Sequence, residues 1–362
     1  MTVPPASTGT PAPTGSPAAT HHEVVVIGGG PAGLAGATAL ARARRSVLLV
    51  DAGAPRNAPA GGVHNYLGHE GTPPGQLLAI GRKEVTGYGG RIVEGTVTRL
   101  ERLTGGAVEG TTTDGEAADA EPVGPRFRVG LGDGTTVTAD RLLITTGLID
   151  ELPDVPGVAE GWGHDVLHCP YCHGWEVRDR AIGILSTGPM GVHQALMWRQ
   201  WSEDVTLFVH TGPEPDEEEY EQLAARGVAV VDGRVTELRI ERGRLRGVVL
   251  EDGHVIGREA VIVAPRFTAR GGLLADLGIT PVDQEVEGHV IGSHITADPT
   301  GATEVPGVWV AGNVGVLTEQ VIGSAAAGMR AGSMINADLI KEETRRAVAA
   351  RRRSARETAP VS

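Results

Sequence analysis

The chain holds only two cysteines, and they stand three apart in Cys169-Pro170-Tyr171-Cys172, with His173 directly after. Two thiols at that spacing reach each other across one turn, so the segment can cycle between dithiol and disulfide. The same residues allow two other chemistries. With His164 and His168 close by, the cluster resembles a zinc site, and Cys-x-x-Cys-His is also the attachment motif of c-type haem. A structural zinc site ordinarily brings a second ligand pair, and the remaining histidines show no such spacing. Haem attachment belongs to exported, dedicated proteins, and no export signal is read here. The redox reading leads, and no metal is expected. His173, with an ordinary histidine pKa of about 6.5, suits proton exchange with an incoming thiol.

A thiol pair needs something to exchange electrons with, and Gly28-Gly29-Gly30-Pro31-Ala32-Gly33 supplies a candidate. The apolar run Val24–Ile27 before it reads as a buried parallel strand, Ala35–Arg44 after it as a helix, and Ser46–Val50 as a second strand ending at Asp51. In such a unit Gly28 permits the tight turn, Gly30 lets a pyrophosphate approach the backbone, and Gly33 lets helix and strand pack closely. Helix N-terminal amides face the phosphates, and Asp51 is placed to accept hydrogen bonds from a ribose. The fingerprint alone does not separate FAD from NAD.

A second unit of the same kind starts at Ala181, with strands Ile182–Leu185 and Val205–Val209 around a turn and a helix running to about Trp201. Its fingerprint is damaged: Ser186 stands where the first glycine belongs. The second strand ends in Val209-His210-Thr211-Gly212, offering neither the acid that suits NAD nor the arginines that suit NADP. The run Asp216–Glu219 reads as a solvated helix start. NADPH binding is therefore doubtful. His193, in the same unit, reads as structural.

Around these two units the sequence predicts a weak strand over Arg91–Leu100, a loop over Thr104–Pro125, and a hairpin of Phe127–Leu131 with Thr135–Val137. Leu142–Ile144 leads into Thr145-Thr146-Gly147, and Pro153 and Pro156 mark a crossing between domains. Further strands are expected at Val228–Val231, Leu245–Leu250, Val261–Ala264 and Val308–Val310, and a small-residue helix at Ser324–Ile340. The expected class is α/β, with two Rossmann-like three-layer domains, the second inserted into the first. The expected division is a disordered tail over 1–22, the first domain over 23–150 and 268–345, the second over 153–265, and a tail over 346–362.

Composition limits the alternatives. With 362 residues, 40% hydrophobic and 21% charged, the chain is neither collagen-like nor wholly disordered. A net charge of −13 argues against general nucleic-acid or anionic-membrane binding. No apolar run approaches the ~18 residues of a membrane span. The uncharged, Pro- and Ala-rich first 20 residues do not read as a leader, so a cytoplasmic location is expected.

From residue 23 to 339 the segments resemble the low-molecular-weight thioredoxin reductase family of two-domain flavoproteins. The resemblance implies FAD at Gly28, Gly30, Pro31, Ala32, Gly33 and Asp51, with Asn65 beside the isoalloxazine and Thr146 and Gly147 on the return strand. Val308–Asn313 is similar to the family's second FAD motif, with Gly312 kept and Asn313 where an Asp is usual; Gln320 and Val321 follow. The resemblance also implies that Cys172 is the flavin-proximal sulfur and Cys169 the exchanging one. His173 stands where thioredoxin reductases usually carry Asp. The run Cys-Pro-Tyr-Cys-His-Gly-Trp-Glu, residues 169–176, resembles a branch of that family more closely: the gliotoxin- and holomycin-type dithiol oxidases. That implies a small-molecule dithiol as substrate and dioxygen as acceptor, in a homodimer. Trp175 is then either an apolar wall for the substrate or a packed core aromatic. The alternatives are an NADPH-dependent reductase of a thioredoxin-like protein, and a Cys/His metal-binding module on a degenerate nucleotide fold.

Overall fold

The computed structural model describes residues 19–103, 126–286 and 288–357. The first unit runs β1 (Thr20–Ile27), α1 (Pro31–Arg42), β2 (Val47–Asp51), α2 (Pro74–Gly87), β3 (Arg91–Glu94), β4 (Val97–Arg102), β5 (Phe127–Leu131), β6 (Thr136–Ile144) and β7 (Leu148–Glu151). The second holds α3 (Val158–Gly161), β8 (Val166–Leu167), α4 (Pro170–His173), β9 (Ile182–Leu185), α5 (Gly191–Trp198), β10 (Val205–Phe208), α6 (Glu217–Ala225), and β11 (Ala229–Val231) to β15 (Ala260–Ile262). Between these last two lie β12 (Val235–Glu241), β13 (Arg244–Leu250) and β14 (Val255–Ile256). The chain then returns through β16 (Arg266–Ala269), β17 (Val282–Val286), β18 (His289–His294), β19 (Val308–Val310) and α7 (Val321–Glu357).

Strands β3-β2-β1-β6-β5-β4 form one sheet, with β19 added beside β6. Its central strands are parallel and apolar on both sides, as covering on both faces requires. Val25, Ile27 and Val50 face one core with Phe127 and Leu274, and Val24, Val26 and Leu49 face the other with Leu40 and Ile335. Helices α1 and α7 cover that second face at backbone distance, because Gly36, Gly328 and Gly332 leave no room for a Cβ between them. The inserted unit is a five-stranded parallel sheet, β11-β10-β9-β15-β8, flanked by the antiparallel β12-β13-β14. A four-stranded sheet, β17-β18-β16-β7, lies at the crossings. No helix among the described residues is long and apolar enough to cross a membrane.

Both ends carry more structure than the sequence suggests. Residues 1–18, the Thr104–Pro125 loop and 358–362 lie outside the described residues. Thr20 to His22, however, extend β1, because the nine-residue β6 offers them Val137 to Ala139 as partners. The expected tail from residue 346 is helix as far as Glu357. Its Arg, Ala and Glu residues are strong helix formers, and Glu342 pairs with Arg346 one turn on.

Arg141, only 1% exposed, anchors α7 to β6 by bonding Asp338 at 2.6 Å and Glu342, which also accepts from Arg126 at 2.7 Å. Removing one partner of a buried ion pair costs about 3–5 kcal/mol, whereas replacing both can be near neutral. Arg141→Met should therefore lower stability by about 3 kcal/mol. Adding Glu342→Leu should recover much of that loss, as read by urea unfolding.

Candidate active site

Strand register builds the site. Ile27 lies opposite Val50 and Ile144, and Ile144 opposite Val310. Gly28, Asp51, Thr145 and Ala311, which follow these residues, therefore emerge together at one sheet edge. They border a cavity of about 820 Å³ that runs from the glycine turn to Cys169 and Cys172. Gly28 has φ +112°, and a Cβ there would press on the Thr145 peptide, 2.8 Å from its carbonyl carbon. A Cβ at Gly33 would fall on the Gly28 carbonyl. A Cβ at Gly30 would meet nothing within 4 Å, so the backbone at the start of α1 faces open cavity. That is the cradle an elongated dinucleotide needs: tight turn, close packing, and room for phosphate at the helix start. Pro31, Ala32, Thr146, Gly147, Gly312, Asn313, Gln320 and Val321 line the same cavity.

Three residues behave in ways the sequence does not disclose. The Asp51 carboxylate, largely buried, pairs with Arg82 of α2 and accepts from the Gly53 amide at 3.1 Å. Arg82 also lines the cavity, and with α2 unread in the sequence it could not be foreseen. The Asn313 side chain donates to the carbonyls of Val316, Leu317 and Glu319 at 3.2, 3.1 and 2.9 Å. Its NH2 is thus spent on the loop leading to Gln320, and its carbonyl oxygen is what remains for a ligand. An Asp here would set a carboxylate against three carbonyls. Asn65, in the left-handed region at φ 58°, donates not into the cavity but to the Tyr171 carbonyl at 2.6 Å.

The cysteine turn is the short helix α4, with Cys169 just before it and the Cys172 and His173 amides donating back to the Cys169 carbonyl. The two sulfurs lie 2.7 Å apart, each partly buried. The Cys172 thiol donates to Cys169, and with backbone amides and Arg56 this outweighs burial and holds Cys169 at about 7. The same bond, together with burial, pushes Cys172 up. A pair split in this way has one ready nucleophile, Cys169. Both ring nitrogens of His173 are buried without a partner, and burial lowers its pKa despite the nearby Glu176. It is a neutral imidazole on the cavity wall. His168 is otherwise occupied, donating Nδ1–H to the Val263 carbonyl at 3.1 Å and meeting the Phe267 ring edge-on. Trp175 is neither core nor cavity wall: it is 65% exposed, with the Arg178 guanidinium 4.1 Å above its ring. Among the described residues no group of three or more His, Cys, Asp or Glu side chains is arranged to hold a metal ion.

In the second unit Ser186, 4% exposed, bonds the Gly188 carbonyl at 3.0 Å and packs against Gly191 and Gly212. Its side chain fills the turn. His210 is engaged by the Val235 amide at 3.0 Å. Asp216 caps α6 in a reciprocal pair with Glu219, which accounts for that acidic run. A smaller cavity at this edge, about 410 Å³, is lined by Thr187, His210, Arg234, Arg266, Glu151 and Asp154. Arg266 pairs with Asp283 and Glu151. Arg234 is the cation that the sequence alone does not place here.

Residues 22–332 match the family described as "Pyridine nucleotide-disulphide oxidoreductase". The chain belongs to this family. It is 28% identical over 338 residues to "Thioredoxin reductase tcpT" of Claviceps purpurea (strain 20.1), covering 88% of this chain and 95% of that one. Over 327 residues it is 28% identical to "Thioredoxin reductase sirT" of Leptosphaeria maculans, with coverage of 87% and 93%. Among solved structures, that of HlmI is similar at 43% identity and a TM-score of 0.81, covering 92% of this chain and 98% of HlmI. An oxidoreductase from Agrobacterium tumefaciens follows at 33% identity and a TM-score of 0.78, with coverage of 89% and 99%. This pyridine nucleotide-disulphide oxidoreductase is thus a thioredoxin reductase-like flavoprotein, an FAD-dependent thiol/disulfide oxidoreductase, and its glycine cradle fits that cofactor.

Proposed function

We propose that this flavoprotein oxidises a small-molecule dithiol to its disulfide, with dioxygen as acceptor and hydrogen peroxide as co-product. The observation that carries the reading is the shared cavity: both sulfurs and the dinucleotide cradle line one space, while the second unit's turn is filled by its own Ser186. The run Cys169–Glu176, which resembles the gliotoxin- and holomycin-type oxidases, supports a small substrate.

Gly28, Gly30, Pro31, Ala32 and Gly33 would hold the FAD pyrophosphate and Asp51 a ribose, with Thr146, Gly147, Gly312, Asn313, Gln320 and Val321 along the rest of the cavity. Bound FAD supplies a two-electron acceptor that dioxygen can reoxidise. His173 takes the proton of the entering substrate thiol, and the thiolate attacks Cys169 of the enzyme disulfide, releasing Cys172 as a thiolate. His173 passes its proton to Cys172, where burial favours the thiol. The freed imidazole takes the proton of the second substrate thiol, whose sulfur attacks the substrate sulfur of the mixed disulfide. Cys169 leaves readily because its thiolate is stabilised, and the product departs as a disulfide. Two electrons and two protons leave the substrate; Cys172 is the sulfur assigned to pass the electrons on.

Oxygen uptake driven by a vicinal or cyclic dithiol without NADPH, with one peroxide per disulfide, is the expected result. His173→Ala should slow it by about 10²-fold or more. Because burial favours the neutral ring, the wild-type rate should fall off only below the ordinary histidine range. A protein that ignores dithiols and instead reduces thioredoxin with NADPH would overturn the proposal.

A further inference from the structure

We propose that the loop from His64 to Glu70 is a clasp that holds the dithiol turn against the dinucleotide-binding half, and so restricts exchange to substrates small enough to enter the cavity. The proposal deepens the small-dithiol reading and rests on it. Asn65 Nδ2 donates to the Tyr171 carbonyl, between the two cysteines, at 2.6 Å. His64 reaches Glu70 through Nδ1 at 2.6 Å, and through Nε2 lies 3.4 Å from Glu176, just beyond the turn. The loop is itself stiff: Glu70 accepts from the Asn65 amide at 2.8 Å, and Val63 pairs with Thr72 and Gly71 through two bonds of 2.8 Å.

Nearby contacts reinforce it. Pro59 lies against Gly163 so closely that a Cβ there would stand 2.6 Å from the proline Cβ. Arg56 forks onto Asp150 at 2.7 and 2.6 Å and lies 5.4 Å above the Phe267 ring. Asn65 ties the backbone of the Cys169–His173 turn from the dinucleotide side. The turn is therefore fixed from the dinucleotide side, with the partly buried sulfurs facing inward. A protein disulfide would have to bring its own chain to Cys169, which this arrangement prevents; a small dithiol would not. His64 and Asn65 are thus positioning residues that set specificity by size.

The test uses the reduced holoenzyme and two thiol reagents of equal chemistry: N-ethylmaleimide, and a maleimide on a long polyethylene glycol chain. Wild type should discriminate strongly against the bulky reagent. Asn65→Asp tolerates the same left-handed backbone but turns a donor into a repelling carboxylate. It should raise bulky labelling by about tenfold, the worth of one hydrogen bond, with far less change for N-ethylmaleimide. Glu176→Gln, away from the cavity wall, should act in the same direction and keeps the test decisive if Asn65→Asp misfolds. Equal labelling of wild type by both reagents, or ratios unmoved in both variants, would overturn the clasp. Because labelling needs no turnover, absent dithiol oxidation with the expected ratios would sink the small-dithiol reading alone.

Discussion

Micromolar NADPH should leave the bound flavin oxidised, under anaerobic conditions, over a time in which a small dithiol bleaches it completely. Two losses add up at the second unit. Its turn is occupied by Ser186, whose hydroxyl packs where Gly191 and Gly212 have no side chain to give way. Its second strand ends without the basic residues that clamp a 2′-phosphate, and His210 already accepts from Val235. A charge-assisted contact to phosphate is worth roughly 1.5–3 kcal/mol. Losing two weakens binding by about 10²–10⁴-fold. Arg234 lines the small cavity at this edge, but Glu151 and Asp154 line it too and oppose a phosphate there. Ser186→Gly alone should not restore NADPH reduction, because turn geometry and phosphate recognition are separate requirements. Stoichiometric bleaching of the wild type by micromolar NADPH within seconds would show that the second unit still works as a nucleotide site.

Serine at either cysteine should reduce dithiol turnover by at least about 10³-fold, as expected when a covalent nucleophile is removed. The two variants should nevertheless differ in the thiol they keep. In Cys172→Ser the serine hydroxyl can replace the thiol as donor, and the backbone amides and Arg56 remain. Cys169 should then alkylate with a rate that rises with pH through about 7 and levels off above it. In Cys169→Ser the remaining Cys172 keeps its burial, which works against the thiolate and outweighs the opposing Arg56 charge. At neutral pH Cys169 should therefore react more than about tenfold faster than Cys172, since only the thiolate is nucleophilic. The reverse order would exchange the roles of the two sulfurs in the cycle above.

The parts of this molecule legible in the sequence are those whose signal is local. Val24–Gly33 carries strand, turn and glycine fingerprint within ten residues, and Cys169–His173 carries both thiols on one short helical turn. Three buried strands of the inserted sheet, β9, β10 and β15, are equally plain, because parallel strands covered on both faces are apolar throughout, whereas the two-residue β8 is too short to show a pattern. The sequence hides elements that become regular only through partners. Strands β7, β16, β17 and β18 are short and half polar, and they exist as one sheet assembled from segments more than a hundred residues apart. Helix α2 opens Pro74-Gly75 and has a weak apolar stripe, yet it delivers Arg82 to Asp51. Asn65 shows the limit from the other side. A resemblance points to its neighbourhood, but only the folded chain shows its amide turned toward the Tyr171 carbonyl.

The position of β19 has a consequence for biosynthesis. The dinucleotide sheet draws strands from residues 20–144 and adds its last one from residues 308–310, while α7 seals its face still later. The inserted sheet is contiguous, residues 166–262, and its partners all emerge from the ribosome before β19 does. Vectorial synthesis favours units whose contacts are already complete, and long-range closure is slow. The half with the redox turn should thus become native first. The cofactor cradle, lacking Gly312, Asn313 and its covering helix, stays open until nearly the whole chain has been translated. Flavin capture is then a late event, and a chain stalled before residue 308 would carry its thiols exposed with nothing to receive their electrons.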